Sequence, residues 1–180
     1  MIKDLLKIDP EFTESMFKTK ADNTFVMLFT GVMMKNLDNS KHMLSDKVFN
    51  KYNDYINELI KNDETQMYDM LNVAETEIKN IEITDEKIII TVSLLSKAYD
   101  YVMDRDGKII KGQDERREAK RNILTFTKKI NFKNHKDVRK CPGCGASIDI
   151  NYSGKCAYCD TIYNAKDYDY ILDDIEVIGG

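Results

Sequence analysis

Four cysteines within nineteen positions constrain the fold of this chain more than any other feature. They form two Cys-x-x-Cys pairs separated by eleven residues: Cys141 with Cys144, and Cys156 with Cys159. Two pairs at this spacing predict a ribbon-type zinc site, in which four thiolates close a tetrahedral shell and leave no open position for catalysis. Each pair should lie on a tight turn, followed by a residue that tolerates a left-handed backbone, and Gly145 and Asp160 meet that need.

Two disulfides are the competing interpretation of the cysteines. They fit poorly, because nothing in the sequence signals secretion, and a Cys-x-x-Cys pair in a cytosolic chain is a metal or redox motif. A thioredoxin-type redox motif would need one pair beside a βαβ unit, which the pattern lacks. His42 and His135 are not needed as ligands, so the expected cofactor is one structural Zn²⁺ held by the four cysteines.

Length and composition limit the class of protein. A chain of 180 residues allows one domain, or one domain plus a small module. No window holds 18 uninterrupted apolar residues, and the start of the sequence does not resemble a signal peptide. We therefore expect a cytoplasmic protein.

The charges are distributed unevenly along the chain. Residues 105–140 carry thirteen basic and five acidic side chains, whereas the remainder carries 14 basic and 26 acidic ones. Such asymmetry can mark an anionic partner, and Arg116, Arg117, Lys120 and Arg121 are the candidates for a lipid contact. A lysine-rich solvated strand face explains the same pattern. A nucleic-acid partner is disfavoured, because the whole protein is acidic, with a pI of about 5.3.

Two helices are predicted near the start of the chain. Asp9 as N-cap and Pro10 at the first helical position predict a helix from there to about Asn36. Its apolar residues recur every three to five positions and should share one stripe: Phe12, Met16, Ala21, Phe25, Leu28, Phe29 and Val32. Ser45 is the predicted N-cap of a second helix, and the polar residues 61–65 should end it.

The pattern changes to strands from Met70 onward. Segment 71–83 favours a strand in its second half, 87–103 predicts a long central strand, and Asp106-Gly107 predicts a hairpin turn. Strand signal resumes at 109–110 and at 122–132. Helices followed by an antiparallel meander predict an α+β fold, with the helices packed on one face of a curved antiparallel sheet.

A change in composition predicts the domain division. Residues 8–133 form the larger domain, 134–140 a polar linker, and 141–178 a small zinc ribbon with a C-terminal tail. A ribbon of this size has too little core to fold without its metal. We expect the tail either to add a strand to the ribbon or to pack the ribbon against the larger domain.

Several motifs resemble those of bacterial TIM-44-like proteins, relatives of the 44-kDa subunit of the mitochondrial inner-membrane import motor. The first set is 8–14 (IDPEFTE), 44–46 (LSD) with Tyr52, 99–101 (YDY) and the Asp106-Gly107…Gly112 hairpin. The second set is 141–146 (CPGCGA), 153–159 (SGKCAYC) and 169–172 (DYIL), which resemble the zinc tail that some relatives carry. The resemblance covers about residues 8–133 and 141–175.

The resemblance implies a nuclear-transport-factor-2-like cone with a pocket between helices and sheet. It also implies a non-enzymatic binding or scaffold module, associated with membranes or membrane-protein machinery through a protein or lipid partner. Two alternatives stay open. The cone pocket could serve a small-molecule-binding protein or an acid–base enzyme, or the ribbon could bind nucleic acid. The enzyme would draw on these residues: Tyr52, Tyr55, Tyr99, Asp100 and Tyr101. Because Asp100 alternates with Tyr99 and Tyr101 along the strand, we expect no pair of the Asp100 carboxylate and a tyrosine hydroxyl within hydrogen-bond reach in a closed cavity.

Overall fold

The computed structural model describes residues 2–130, Cys141, 144–147, Cys156, 158–160 and 169–179. The helices come first: α1 (Ile2–Ile8), α2 (Glu14–Met33), a short 3-10 helix (Lys41–Met43) and α3 (Asp46–Lys61). The strands follow: β1 (Thr65–Ile83), β2 (Lys87–Met103), β3 (Ile109–Lys129) and, after the cysteines, β4 (Ile171–Val177). The predicted α+β order of helices followed by an antiparallel meander is confirmed.

The described strands form one antiparallel sheet in the order β1-β2-β3-β4. The pairing of β1 with β2 carries three register shifts, and smaller numbers of shifts interrupt the other pairings. Each shift inserts an irregularity that bends a strand and increases its local twist, so the long strands curve around the helices. This curvature gives the predicted cone.

The core lies between α2, α3 and the concave face of the sheet. Alternate residues of β2 are buried there, as the two-residue period of a strand requires. The fully buried side chains include Phe25, Leu28, Ile88, Ile90, Leu94, Leu124, Phe126, Leu172 and Ile175. Of the stripe predicted on the first helix, Met16 does not belong to the core, because its side chain is 60% exposed.

The start of α2 differs from the prediction. Asp9 and Pro10 do not open a helix. Instead, α2 begins at Glu14, and the Thr13 hydroxyl caps it by accepting a 3.3 Å hydrogen bond from the Met16 amide. The separate helix α1 precedes this turn. Asp9 is unavailable as a cap because its carboxylate is buried and bound to residues far along the chain.

Other local predictions are confirmed. The Ser45 hydroxyl accepts a 3.3 Å hydrogen bond from the Val48 amide at the start of α3. β2 has the predicted bounds, and Gly107 takes a positive φ in the hairpin turn that follows it. β1 begins earlier than predicted, at Thr65. The two segments predicted at 109–110 and 122–132 belong to one continuous strand, β3.

The tail after the cysteines belongs to the large sheet. β4 pairs with residues 122–127 of β3, so Ile175 lies opposite Leu124. The tail therefore adds its strand to the sheet of the larger domain. Residues 131–140 lie outside the described residues, and the division into domain 8–133, linker 134–140 and ribbon 141–178 stays a prediction.

Candidate metal centre and cone cavity

The four cysteine thiols come together at one point. All four sulfur atoms lie within 4.8 Å of one another. Across the two pairs, Cys141 Sγ lies 3.5 Å from Cys159 Sγ, and Cys144 Sγ lies 3.7 Å from Cys156 Sγ. Tetrahedral zinc with Zn–S bonds of about 2.3 Å requires sulfur–sulfur separations of about 3.8 Å. The donor set and its spacing therefore fit one metal ion of the zinc type.

The turns that hold the cysteines have the predicted geometry. Gly145 and Asp160, each just after the second cysteine of its pair, have φ angles of +73° and +57°. Their amides donate to the carbonyl oxygens of Cys141 and Cys156, at 2.9 and 3.0 Å. These bonds close each turn and direct both of its thiols to the same side. The histidine at position 135 lies outside the described residues.

Crowding of the thiols affects their protonation. The Ala146 backbone amide lowers the pKa of the Cys144 thiol, but contacts with the other three thiols raise it by more, to about 12. A bound divalent cation reverses this balance, because it deprotonates the thiols that it coordinates. Among the described residues the cluster contains cysteines alone, and His42 is not part of it.

Two ion pairs fix the base of the cysteine segment to the larger domain. Lys128, near the end of β3, donates to the Asp9 carboxylate at 2.8 Å, and the Tyr170 hydroxyl, just before β4, donates to the same oxygen at 3.0 Å. Lys20 of α2 pairs with Asp169. Both ends of the segment that carries the cysteines thus converge on buried Asp9. Sequence reasoning missed this role, because Asp9 is followed by proline and looks like a helix cap.

A cavity of about 180 Å³ lies between the helices and the sheet. We call it the cone cavity. Apolar and aromatic side chains form one part of its wall: Phe25, Phe29, Tyr52, Tyr68, Leu71, Ala98 and Val177. Polar side chains of β2 and β3 form the other part: Ser96, Asp100, Glu118, Lys120 and Asn122. The concave face of the sheet therefore changes from apolar to polar beyond the pair Leu94 and Asn122. The polar residues at alternate positions of β2 and β3 are the sequence feature that could have predicted this change.

The polar groups of the cone cavity bind one another. The Asp100 carboxylate accepts from the Gln66 side-chain amide at 2.8 Å and from the Lys120 ammonium at 2.6 Å. Gln66 in turn accepts from the Tyr55 hydroxyl at 2.7 Å. One amide thus separates Asp100 from the nearest tyrosine of this network. Tyr101 does not join it, since its hydroxyl donates to Asp69 at 2.7 Å.

The tyrosines around the cavity are held in their neutral form. Burial, followed by the charge of Asp174, raises the pKa of Tyr52 to about 12. Burial, followed by the charge of Asp100, also raises the pKa of Tyr68, which lies opposite Asp100 in the sheet. At neutral pH these hydroxyls are therefore hydrogen-bond donors and not bases. Among the described residues, every fully buried side-chain nitrogen and oxygen has a hydrogen-bond partner.

The fold and these sites can be set beside known proteins. A family model described as "Tim44-like domain" matches residues 1–137, about three quarters of the chain. The chain belongs to the Tim44-like family. This confirms the resemblance found in the sequence. A search of curated proteins finds no match. Among solved structures, the Tim44-like chain is similar to the crystal structure of the intermembrane space region of chloroplast protein ARC6. The identity is 7%, the TM-score is 0.42, and the likeness covers 91% of this chain and 97% of that chain.

Three of the four candidate lipid contacts of the Tim44-like chain are engaged within the protein. Arg117 donates to the backbone oxygens of Met70 and Lys97, and Arg121 donates to the Ser93 hydroxyl at 2.8 Å. Lys120 lines the cone cavity. Of the four candidate lipid contacts, Arg116 is the one that is exposed and makes no such bond with the described residues. In the described ranges, no helix has the length and apolar character to cross a bilayer.

Proposed function

We propose that this Tim44-like chain is a non-enzymatic binding or scaffold module with a structural zinc site. One observation carries the proposal. Both oxygens of Asp100, the one carboxylate of the predicted acid–base set in the cavity, are bound by Gln66 and Lys120. A catalytic acid or base must reach a substrate proton, whereas a carboxylate held in this way orders the cavity wall.

The volume of the cone cavity limits what it can hold. At about 180 Å³ it is close to engineered apolar cavities of about 150 Å³ that bind benzene. A single ring, or one side chain of a partner, fits this space. A lipid acyl chain or a folded peptide segment would need the helices to move apart. We infer that the cavity receives one anchoring group of a larger partner or a small ring compound.

We propose zinc as the ion of the cysteine cluster, with Cys141, Cys144, Cys156 and Cys159 as its ligands. The thiol spacing and the two closed turns support this assignment. When bound, zinc would hold the ribbon together, and four sulfur ligands would leave no position for an activated water. Its role would therefore be structural.

Family membership is the ground for the partner and the location. We infer a protein or lipid partner that belongs to membrane-protein machinery, contacted from the cytoplasmic side. Arg117 and Arg121 are already hydrogen-bonded within the protein. This favours a protein partner over a lipid surface, since anionic lipids bind clusters of available cations. The same contacts weigh against nucleic acid. No observation in the cavity favours the acid–base enzyme over the binding module.

Metal analysis of protein purified without added zinc tests the metal assignment. One zinc per chain is expected, and a C141S/C144S variant should lose it. Substoichiometric metal together with two disulfides by mass spectrometry would refute it.

Chelation tests the domain division. Zinc would join residues 141 and 159 within the 130–170 connection between β3 and β4. This roughly halves the number of residues that folding must close into a loop. Releasing the zinc should cost the larger domain about 0.6 kcal/mol, or about 2 °C in Tm. A collapse of the whole chain on chelation would show that ribbon and cone fold as one unit.

Titration with indole tests the cone cavity, with binding followed through the methyl resonances of its lining residues. Wild-type protein should bind one indole, and A98L, which fills the cavity from β2, should not. I89L, on the opposite face of the same strand, is the matched control and should bind as wild type does. If A98L binds indole as well as wild type does, the indole lies outside the cone cavity. The cavity would then no longer support the proposed binding function.

A further inference from the structure

Three side chains on the wall of the cone cavity each have an oxygen atom without a partner. These atoms are the hydroxyls of Tyr52 and Tyr68 and the side-chain Oδ1 of Asn122. None of them makes a hydrogen bond with the described residues. Every fully buried side-chain oxygen in that part of the chain has a partner, so these three atoms must border open space. The cavity is the space that all three residues line, and its wall therefore offers hydrogen bonds to a ligand.

The orientation of the Asn122 amide is fixed by its neighbours. Its nitrogen donates to the backbone oxygens of Leu94 and Lys120, at 3.5 and 3.2 Å. It also donates to the Ser96 hydroxyl at 3.2 Å. Carbonyl oxygens only accept, so the nitrogen and not the oxygen must occupy that side of the amide. Because the residue is only 2% exposed, Oδ1 is a positioned acceptor for a donor inside the cavity.

The two tyrosines supply hydrogen-bond donors on an aromatic wall. Burial raises the pKa of Tyr52 to about 12 and also raises the pKa of Tyr68, so both hydroxyls keep their proton at neutral pH. Phe29 packs edge-on against both rings, with centroid distances of 5.8 and 4.9 Å, and its own centroid lies 4.5 Å from that of Phe25. A ring-shaped ligand suits such a wall, because aromatic groups pack favourably against one another.

The charged groups of the cavity are already paired. Lys120 donates to Asp100 at 2.6 Å, and the Gln66 amide donates to the other oxygen of that carboxylate at 2.8 Å. Glu118 accepts from Gln113 at 3.1 Å and lies 4.0 Å from the Lys120 ammonium. A charged ligand would lose its hydration here without gaining a free counter-charge, which is unfavourable. The cavity therefore favours a neutral ligand over an anion or a cation.

We propose that the cone cavity binds a neutral ring compound with a hydroxyl group, of the phenol type. The ring lies against the aromatic wall, and its hydroxyl accepts a hydrogen bond from Tyr52 or Tyr68 and donates one to Asn122. The inference rests on the proposed function as a binding module and names the class of ligand that the cavity selects. At about 180 Å³ the cavity is larger than engineered cavities of about 150 Å³ that bind benzene, so one ring with its hydroxyl fits. A free phenolic compound and the tyrosine side chain of a partner protein share this chemistry.

Two isomeric ligands test the class of ligand. p-Cresol and anisole contain the same atoms, but only p-cresol has a hydroxyl proton to donate. Binding to the full-length, zinc-loaded chain is followed through the methyl resonances of Leu71, Ala98 and Val177 in the cavity wall. p-Cresol should bind at least about five-fold more tightly than anisole, since it makes one more hydrogen bond. Benzoate and benzylammonium, which carry opposite charges, should each bind at least about ten-fold more weakly than p-cresol.

Tyrosine variants test the two donors. Y52F/Y68F removes both hydroxyls and keeps both rings. Neither hydroxyl has a partner among the described residues, so circular dichroism should show wild-type folding. p-Cresol should bind this variant at least about five-fold more weakly, whereas toluene, which has no oxygen, should bind it at least as tightly as wild type. Y158F, which removes an exposed hydroxyl beside the cysteines, is the matched control and should leave p-cresol binding unchanged.

N-acetyltyrosinamide distinguishes the two sources of the phenol group. It carries the p-cresol group on a short peptide backbone. An affinity comparable to that of p-cresol would assign the site to a tyrosine of a partner protein, and exclusion from the cavity would assign it to a free compound. Both results support the phenol class.

Three results would overturn the proposal. They are equal affinity for p-cresol and anisole, unchanged p-cresol binding by Y52F/Y68F, and tighter binding of either charged ligand than of p-cresol. Indole binding that A98L abolishes would in each case still support the binding module. The class of ligand and the proposed function can therefore fail separately.

Discussion

Replacement of Asp9 by asparagine should destabilise the protein far more than a change of one atom suggests. The Asp9 carboxylate is buried and accepts hydrogen bonds from Lys128 and Tyr170. Asparagine keeps the shape and can still accept from the tyrosine. It leaves the Lys128 ammonium, on a side chain that is 11% exposed, without its counter-charge. Removing one partner of a buried pair typically costs about 3–5 kcal/mol.

We expect the lower end of that range for D9N. The Lys128 ammonium also lies 5.0 Å from the centre of the Tyr170 ring, and this cation–π contact survives the substitution. A loss of about 3 kcal/mol lowers the Tm of a chain of this length by about 6–12 °C. Urea unfolding of the zinc-loaded protein, followed by far-UV circular dichroism because the chain has no tryptophan, measures the change.

Two controls decide whether the ion pair is the cause. D4N removes an exposed pair, in which Asp4 lies 2.9 Å from Lys7, and should leave the urea midpoint essentially unchanged. The double variant D9N/K128M removes both charges and should cost at least about 1.5 kcal/mol less than the sum of the single variants. A D9N cost under about 1 kcal/mol, or no coupling with Lys128, would refute the argument.

Alkaline pH should unfold the protein partly through Tyr52, whose pKa burial and then the charge of Asp174 raise to about 12. Because the folded pKa lies above the unfolded value of about 10, the stability that neutral Tyr52 contributes is fully present below pH 10. It is lost as the pH rises toward 12, and the loss reaches about 2–3 kcal/mol. Y52F should therefore flatten the decline of the urea midpoint between about pH 10 and 12, and an unchanged slope would contradict this role of Tyr52. G112A should be severely destabilising, since φ is +75° and the new Cβ would lie 2.2 Å from the Asp100 backbone oxygen. G107A, at φ +80° with nothing within 4 Å, should cost only about 1–2 kcal/mol, and equal urea midpoints for the two variants would be inconsistent with the clash.

The sequence determined those features that depend on a few neighbouring residues. The Ser45 cap and the left-handed positions of Gly145 and Asp160 follow from spacings of one to four residues. The bounds of β2 follow from its density of isoleucine, valine and tyrosine. The cysteine spacing likewise determined the candidate metal site, because each Cys-x-x-Cys turn presents two thiols in any fold that accommodates it. Motif resemblance supplied the family.

Tertiary structure decided the features that depend on distant partners. The tail 171–177 joins the large sheet because Leu172 and Ile175 complete the core opposite Phe126 and Leu124, and no local signal distinguishes that pairing from a ribbon strand. Met16 satisfies the helical period and yet faces outward. Asp9 is the clearest case. Its local pattern favours a helix cap worth about 1 kcal/mol, but a buried pair whose loss costs about 3–5 kcal/mol outweighs it. That pair depends on Lys128, 119 residues away, which only the folded chain brings into contact.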